Sequence, residues 1–175
     1  MTRHSIQLLI SFLLLVFFQM LVIDKLPLST YVSPEVYLMF ILILPFKYSP
    51  IKAMLWAFAL GLFIDLWSFG VLGLRTIPLV AIAFLRPQLL KMVSAANNLE
   101  NHQAPLLGTL NFRPFLTYVT LSVFCYVTLL FYLDNFNIHN LPQLFLRILL
   151  STIVTTLFIV LIQYAFTGIQ QNKKT

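Results

Sequence analysis

From Leu144 to Phe166 the chain carries one charged residue, Arg147, and from Pro114 to Leu133 it carries none. Runs of this length limit the backbone to few solutions. In hydrocarbon every N–H and C=O must be satisfied within its own helix or around a closed barrel. Barrel strands alternate apolar and polar residues over short segments, and these runs do not alternate. They read as helices. Six such runs can be drawn, at about 6–23, 31–46, 51–68, 71–85, 114–133 and 144–166. A span takes ~17–25 residues. The first, third, fifth and sixth satisfy that length. The second and fourth are short, which packing against neighbours or local thinning of the bilayer tolerates. Five spans is therefore the competing count.

Composition supports the same class. Hydrophobic residues make up 60% of the 175, charged residues 9%, and mean hydropathy is +0.93. A soluble domain of this size needs far more charge to cover its surface. The reading is a single all-α polytopic membrane domain over residues 1–175, with little water-soluble mass.

Basic residues set the expected orientation. With six spans and the amino terminus in the cytoplasm, the inside segments hold Arg3, Lys47, Lys52, Arg86, Lys91, Arg113, Lys173 and Lys174. The outside holds Lys25, Arg75 and Arg147, so the eleven cations divide eight to three. Asp24, Glu35, Asp65 and Asp134 fall outside or at the outer edge, and Glu100 inside. The positive-inside rule then places both termini in the cytoplasm. The net charge of +6 follows from this flanking pattern. No basic patch on a water-facing fold is legible, so nucleic acid is not an expected partner.

Ile6–Ile23 follows Arg3, as a signal sequence would. The run exceeds the ~7–15 residues of a typical h-region and no small-x-small site follows, so it reads as a retained first helix. Cys125 is the single cysteine and no Cys/His set suggests a metal; no cofactor is expected. Loops are short apart from the expected cytoplasmic loop 87–113. Its first half can continue as an amphipathic helix past Pro87, with Leu89, Val93 and Ala96 on one side; a plain connector is the alternative.

The stretch "GLFIDLWSFGVLGLRTIP", Gly61 to Pro78, places an acid and a base in apolar surroundings. Gly61 and Asp65 are four apart and share a helix face. Gly70 and Gly73 suit a tight turn, and Arg75 opens the next span. Asp65 and Arg75 are then expected to face each other near the outer interface, where pairing lowers the cost of a charge in lipid. Gly61 lets a neighbouring helix approach closely. The pair either pins a helix hairpin or contacts a partner or solute. Elsewhere Tyr118, Ser122, Cys125 and Tyr126 share a face, as do Ser151 with Thr155 and Thr152 with Thr156; these read as packing contacts. Arg147 is placed to snorkel or to meet Asp134. His4, His102 and His139 are scattered, and no nucleophile, base and acid gather as a catalytic set.

Two stretches resemble the rod shape-determining protein MreD family. "SPEVYLMFILILPF", Ser33 to Phe46, is similar to its second-span signature. "GLFIDLWSFGVLGLRTIP" is similar to its Gly-x-x-x-Asp segment, followed by a short outer turn and Gly-Leu leading the next span. Pro34, Gly61, Asp65, Gly70 and Gly73 carry the likeness, and the loop 87–113 is longer than compact members have. The resemblance implies six helices in a fold like the substrate-binding subunits of energy-coupling-factor transporters. It implies a non-enzymatic component of the bacterial cell-elongation complex in the inner membrane. The implied partners are a bitopic MreC-like protein and, through it, the MreB filament, a RodA-type glycosyltransferase and a class B penicillin-binding transpeptidase. The rivals are a vitamin-binding subunit of such a transporter and a membrane-embedded lipid enzyme.

Overall fold

The computed structural model describes residues 3–21, 32–45, 48–68, 71–94, 105–106, 111–134 and 141–172. These form six helices: α1 (Arg3–Leu21), α2 (Leu38–Leu42), α3 (Pro50–Trp67), α4 (Thr76–Ser94), α5 (Phe112–Asp134) and α6 (Leu141–Asn172). Among the described residues there is no strand. Each of α3 to α6 starts with a proline in its first turn, at Pro50, Pro78, Pro114 and Pro142. The missing N–H costs nothing there, because the first-turn donors have no intrahelical partner.

Four helices, α3 to α6, are long and apolar enough to cross a membrane. The 18 residues of α3 extend ~27 Å, close to the hydrocarbon thickness. α1 has 19 residues, and Phe12–Leu21 is its apolar part among residues with described side chains. α2 differs from expectation. The run 31–46 does not form a membrane-length helix in its described part: only five residues are helical. Pro34 and Pro45 bracket it, and a proline disfavours helix at the residue before it as well as at its own position. The fourth span also shifts from the expected 71–85. Val71 to Arg75 is turn, and α4 continues through Pro87 to Ser94. Leu89 and Val93 are buried on that extension, while Ala96 lies outside the described residues.

α3, α4, α5 and α6 pack in sequence, each on the next, and α1 packs on α3. α2 lies in the middle, touching α1, α3, α4 and α5. All five of its residues are buried. α1 and α6 do not pack as a helix pair among the described residues; residues 33–36 occupy the seam between them.

The last helix is built outside-in. α6 buries Ser151, Thr152, Thr155, Thr156 and Gln163 and exposes Ile153, Leu157 and Leu161. Lipid is as apolar as leucine, so apolar surface gains little by turning inward, and hydroxyls and amides gain partners there. α3 turns Ala53, Ala57 and Gly61 inward at four-residue spacing, the small-residue stripe that lets helix backbones approach.

Candidate functional site

The joint between α3 and α4 uses the Gly61–Thr76 stretch almost entirely. A Cβ on Gly61 would lie 2.5 Å from the Thr76 Cα, so α4 begins where only a glycine fits beneath it. One turn further along α3, Asp65 is 3% exposed. Its Oδ2 accepts from the Gly73 amide at 2.9 Å, the Thr76 amide at 3.2 Å and the Thr76 hydroxyl at 2.7 Å. Its Oδ1 accepts from the Arg75 amide at 3.1 Å. Thr76 opens α4, so these amides include donors that a helix start leaves unpaired. The carboxylate also faces the positive end of the helix dipole. Asp65 thus caps α4 from a neighbouring helix. Gly73 makes the approach possible: its φ is +96°, a conformation most side chains resist.

Asp65 and residue 75 therefore meet, but through the backbone, rather than as the expected side-chain ion pair. The guanidinium of Arg75 reaches elsewhere. Its Nη1 donates to Ser68 Oγ at 2.5 Å, and its Nε lies 3.9 Å from Glu35 Oε2. Ser68 in turn donates to the Ile64 carbonyl at the end of α3. Gly70 lies outside the described residues.

Glu35 belongs to the second polar feature, the irregular segment that enters and leaves α2. Irregular backbone survives at membrane depth only where protein satisfies it, and here side chains do so. At the entry, Gln19 of α1 donates to the Pro34 carbonyl and accepts from the Val36 amide, both at 2.9 Å. From α6, Ser151 accepts the Ser33 amide and Thr155 the Glu35 amide, each at 3.2 Å. Tyr37 and Tyr126 share a hydroxyl hydrogen bond of 2.5 Å. At the exit, Tyr118 donates to the Leu42 carbonyl at 3.2 Å. The guanidinium of Arg86, 2% exposed, donates to the Leu44 and Pro45 carbonyls.

Sequence reasoning singled out Asp65 and Gly61 but missed Gln19, Tyr37 and Arg86 as structural centres. Glu35 and Arg86 were legible only as flanking charges. For Glu35 the signal was its place directly after Pro34, where an apolar run must break; Arg86 precedes Pro87, and nothing local ties it to the Leu44 and Pro45 carbonyls. Ser151 and Thr155 hold the segment rather than another helix. The Arg147 guanidinium lies over the Phe131 ring at 5.6 Å, a cation–π placement. Among the described residues, no three His, Cys, Asp or Glu side chains gather as metal ligands.

What fold and site define together is an all-helical membrane protein in which the irregular segment around α2 is stitched between the first and last helices. Comparison with family models, with characterised proteins and with solved structures returned no match.

Proposed function

We propose that the chain is a non-enzymatic scaffold of the MreD type in the bacterial inner membrane. In this reading it has both termini in the cytoplasm and couples peptidoglycan synthesis to an MreC-like bitopic protein and the cytoplasmic MreB filament. The observation that carries the reading is the use made of the motif behind the resemblance. Gly61, Asp65, Gly73 and Thr76 are consumed in one helix joint, as suits a protein that works by presenting a fixed set of helices. Outward faces are apolar on every long helix, as at Phe17, Phe58, Phe84, Phe124 and Ile153, and such faces meet lipid or partner helices. RodA-type glycosyltransferase and class B transpeptidase are the further partners of this reading.

Co-purification of the tagged chain with the MreC-like protein, and rounding of cells on its depletion, test it together. Normal rods after depletion and no association would end the scaffold reading. Orientation is tested by thiol labelling of intact cells: a cysteine at Asn98 resists an impermeant reagent and one at Asn137 reacts. The reverse pattern overturns the topology.

A second reading, a vitamin-binding transporter subunit, is favoured by the broken segment around α2. Discontinuous helices with charged residues at their ends are common solute sites in transporters, and Glu35 and Arg86 stand at the two ends here. Saturable binding of a small vitamin by the purified protein, with no association to an MreC-like protein, would favour it.

A further inference from the structure

The turn that joins α3 to α4 is apolar on its outside. Leu66 and Trp67 close α3, Val71 and Leu72 enter the turn, and these four are 57%, 60%, 72% and 62% exposed. A turn standing in water usually carries small polar residues, and solvent serves its free amides. Here the backbone asks nothing of solvent from Gly73 to Ile77. Asp65 accepts the amides of Gly73, Arg75 and Thr76, the Val71 carbonyl accepts that of Leu74, and the Gly73 carbonyl accepts that of Ile77. The Ser68 amide and hydroxyl both donate to the Ile64 carbonyl. The Arg75 guanidinium folds back onto Ser68 and towards the buried Glu35. Irregular backbone at membrane depth needs such internal satisfaction, and a turn in water does not.

Depth follows from length. α3 has 18 residues and extends ~27 Å, while the hydrocarbon core is ~30 Å thick. Lys52, exposed in the first turn of α3, holds that end at the headgroups by snorkelling. The other end then does not clear the lipid. The turn lies at the boundary between headgroups and acyl chains, the level that the amphipathic indole of Trp67 suits.

We infer that the α3–α4 turn is a lipid-inserted tip: Trp67, Val71 and Leu72 lie among the upper acyl chains of one leaflet, and Asp65 closes off the turn's amides so that it can stay there. The occupant of this surface is phospholipid. A partner in the aqueous phase would need the turn to stand above the headgroups, which a helix as short as α3 does not provide. The inference depends neither on the scaffold reading nor on the orientation of the chain.

Nitroxide labels on Val71→Cys and Leu72→Cys test it, with Cys125→Ala as background and the full chain in phosphatidylcholine nanodiscs, whose two faces are both open to solvent. Relaxation by oxygen, which concentrates in lipid, should approach that of a label on Phe84→Cys, an exposed position in α4. Relaxation by a water-soluble nickel chelate should fall about tenfold below that at Asn137→Cys, in a loop expected to be aqueous, because a polar solute is excluded from apolar surroundings. Chelate access equal to that at Asn137→Cys places the turn in water and overturns the inference. Low access to oxygen and chelate alike also overturns it, since protein, a second copy included, then covers the tip. Should the Cys125→Ala background fail to fold, Trp67 decides without it. The emission that Trp67→Phe removes should be quenched by brominated acyl chains and spared by aqueous iodide, and the opposite pattern overturns the lipid-inserted tip.

Discussion

Replacing Asp65 is the sharpest test of the α3–α4 joint. Alanine there leaves the amides of Gly73, Arg75 and Thr76 and the Thr76 hydroxyl without their acceptor. The two Thr76 bonds are buried, and the other two are partly buried. An orphaned buried donor costs ~1–3 kcal/mol, and the partly buried ones regain water and cost less. Loss of a helix cap alone costs ~0.5–2 kcal/mol. Asp65→Ala should therefore destabilise by ~3–4 kcal/mol in total. Asparagine is a graded control. Its carbonyl oxygen in the place of Oδ2 keeps three of the four bonds, and its amide then confronts the Arg75 N–H. Asp65→Asn should cost ~1–2 kcal/mol. Reversible unfolding of the purified protein in mixed micelles, titrated with denaturing detergent, reads both. Equal costs for alanine and asparagine would refute capping by acceptor geometry. A cost below ~0.5 kcal/mol for alanine would place Asp65 among ordinary surface residues.

The contact at Gly61 predicts that Gly61→Val forces α3 and α4 apart and costs ~3 kcal/mol or more, seen as a lower melting temperature, whereas Ala57→Gly should do far less. Arg86→Met strips two carbonyls of their donor at the exit from α2; a loss of ~2–4 kcal/mol in the same detergent titration is expected, and a neutral result would mean water replaces the guanidinium. Gln19→Leu removes both a donor and an acceptor from the entry, so amide exchange at Val36 should accelerate by ~10-fold or more, as a loss above 1.4 kcal/mol implies; unchanged protection would show that α1 does not hold the segment.

Legibility in the sequence followed how local each constraint was. A helix in lipid satisfies its own backbone, so Pro114–Leu133 and Leu144–Phe166 announce themselves without reference to any neighbour. Asp65 was also visible, because an acid four residues from a glycine in an apolar run demands an explanation. Its partners were not visible. A side-chain pair with Arg75 was the simpler reading, and the preference for amides depends on Gly73 turning back and on α4 starting directly over Gly61. Residues 31–46 were read as a span because apolar composition there resembles the other runs. Pro34 and Pro45 marked its limits, yet a proline says where a helix stops and not what receives the freed backbone. The acceptors and donors came from Gln19, Tyr118, Arg86, Ser151 and Thr155. Those five lie on four helices, up to 120 residues away along the chain. No local pattern brings such residues to one segment; packing of the helices around α2 does.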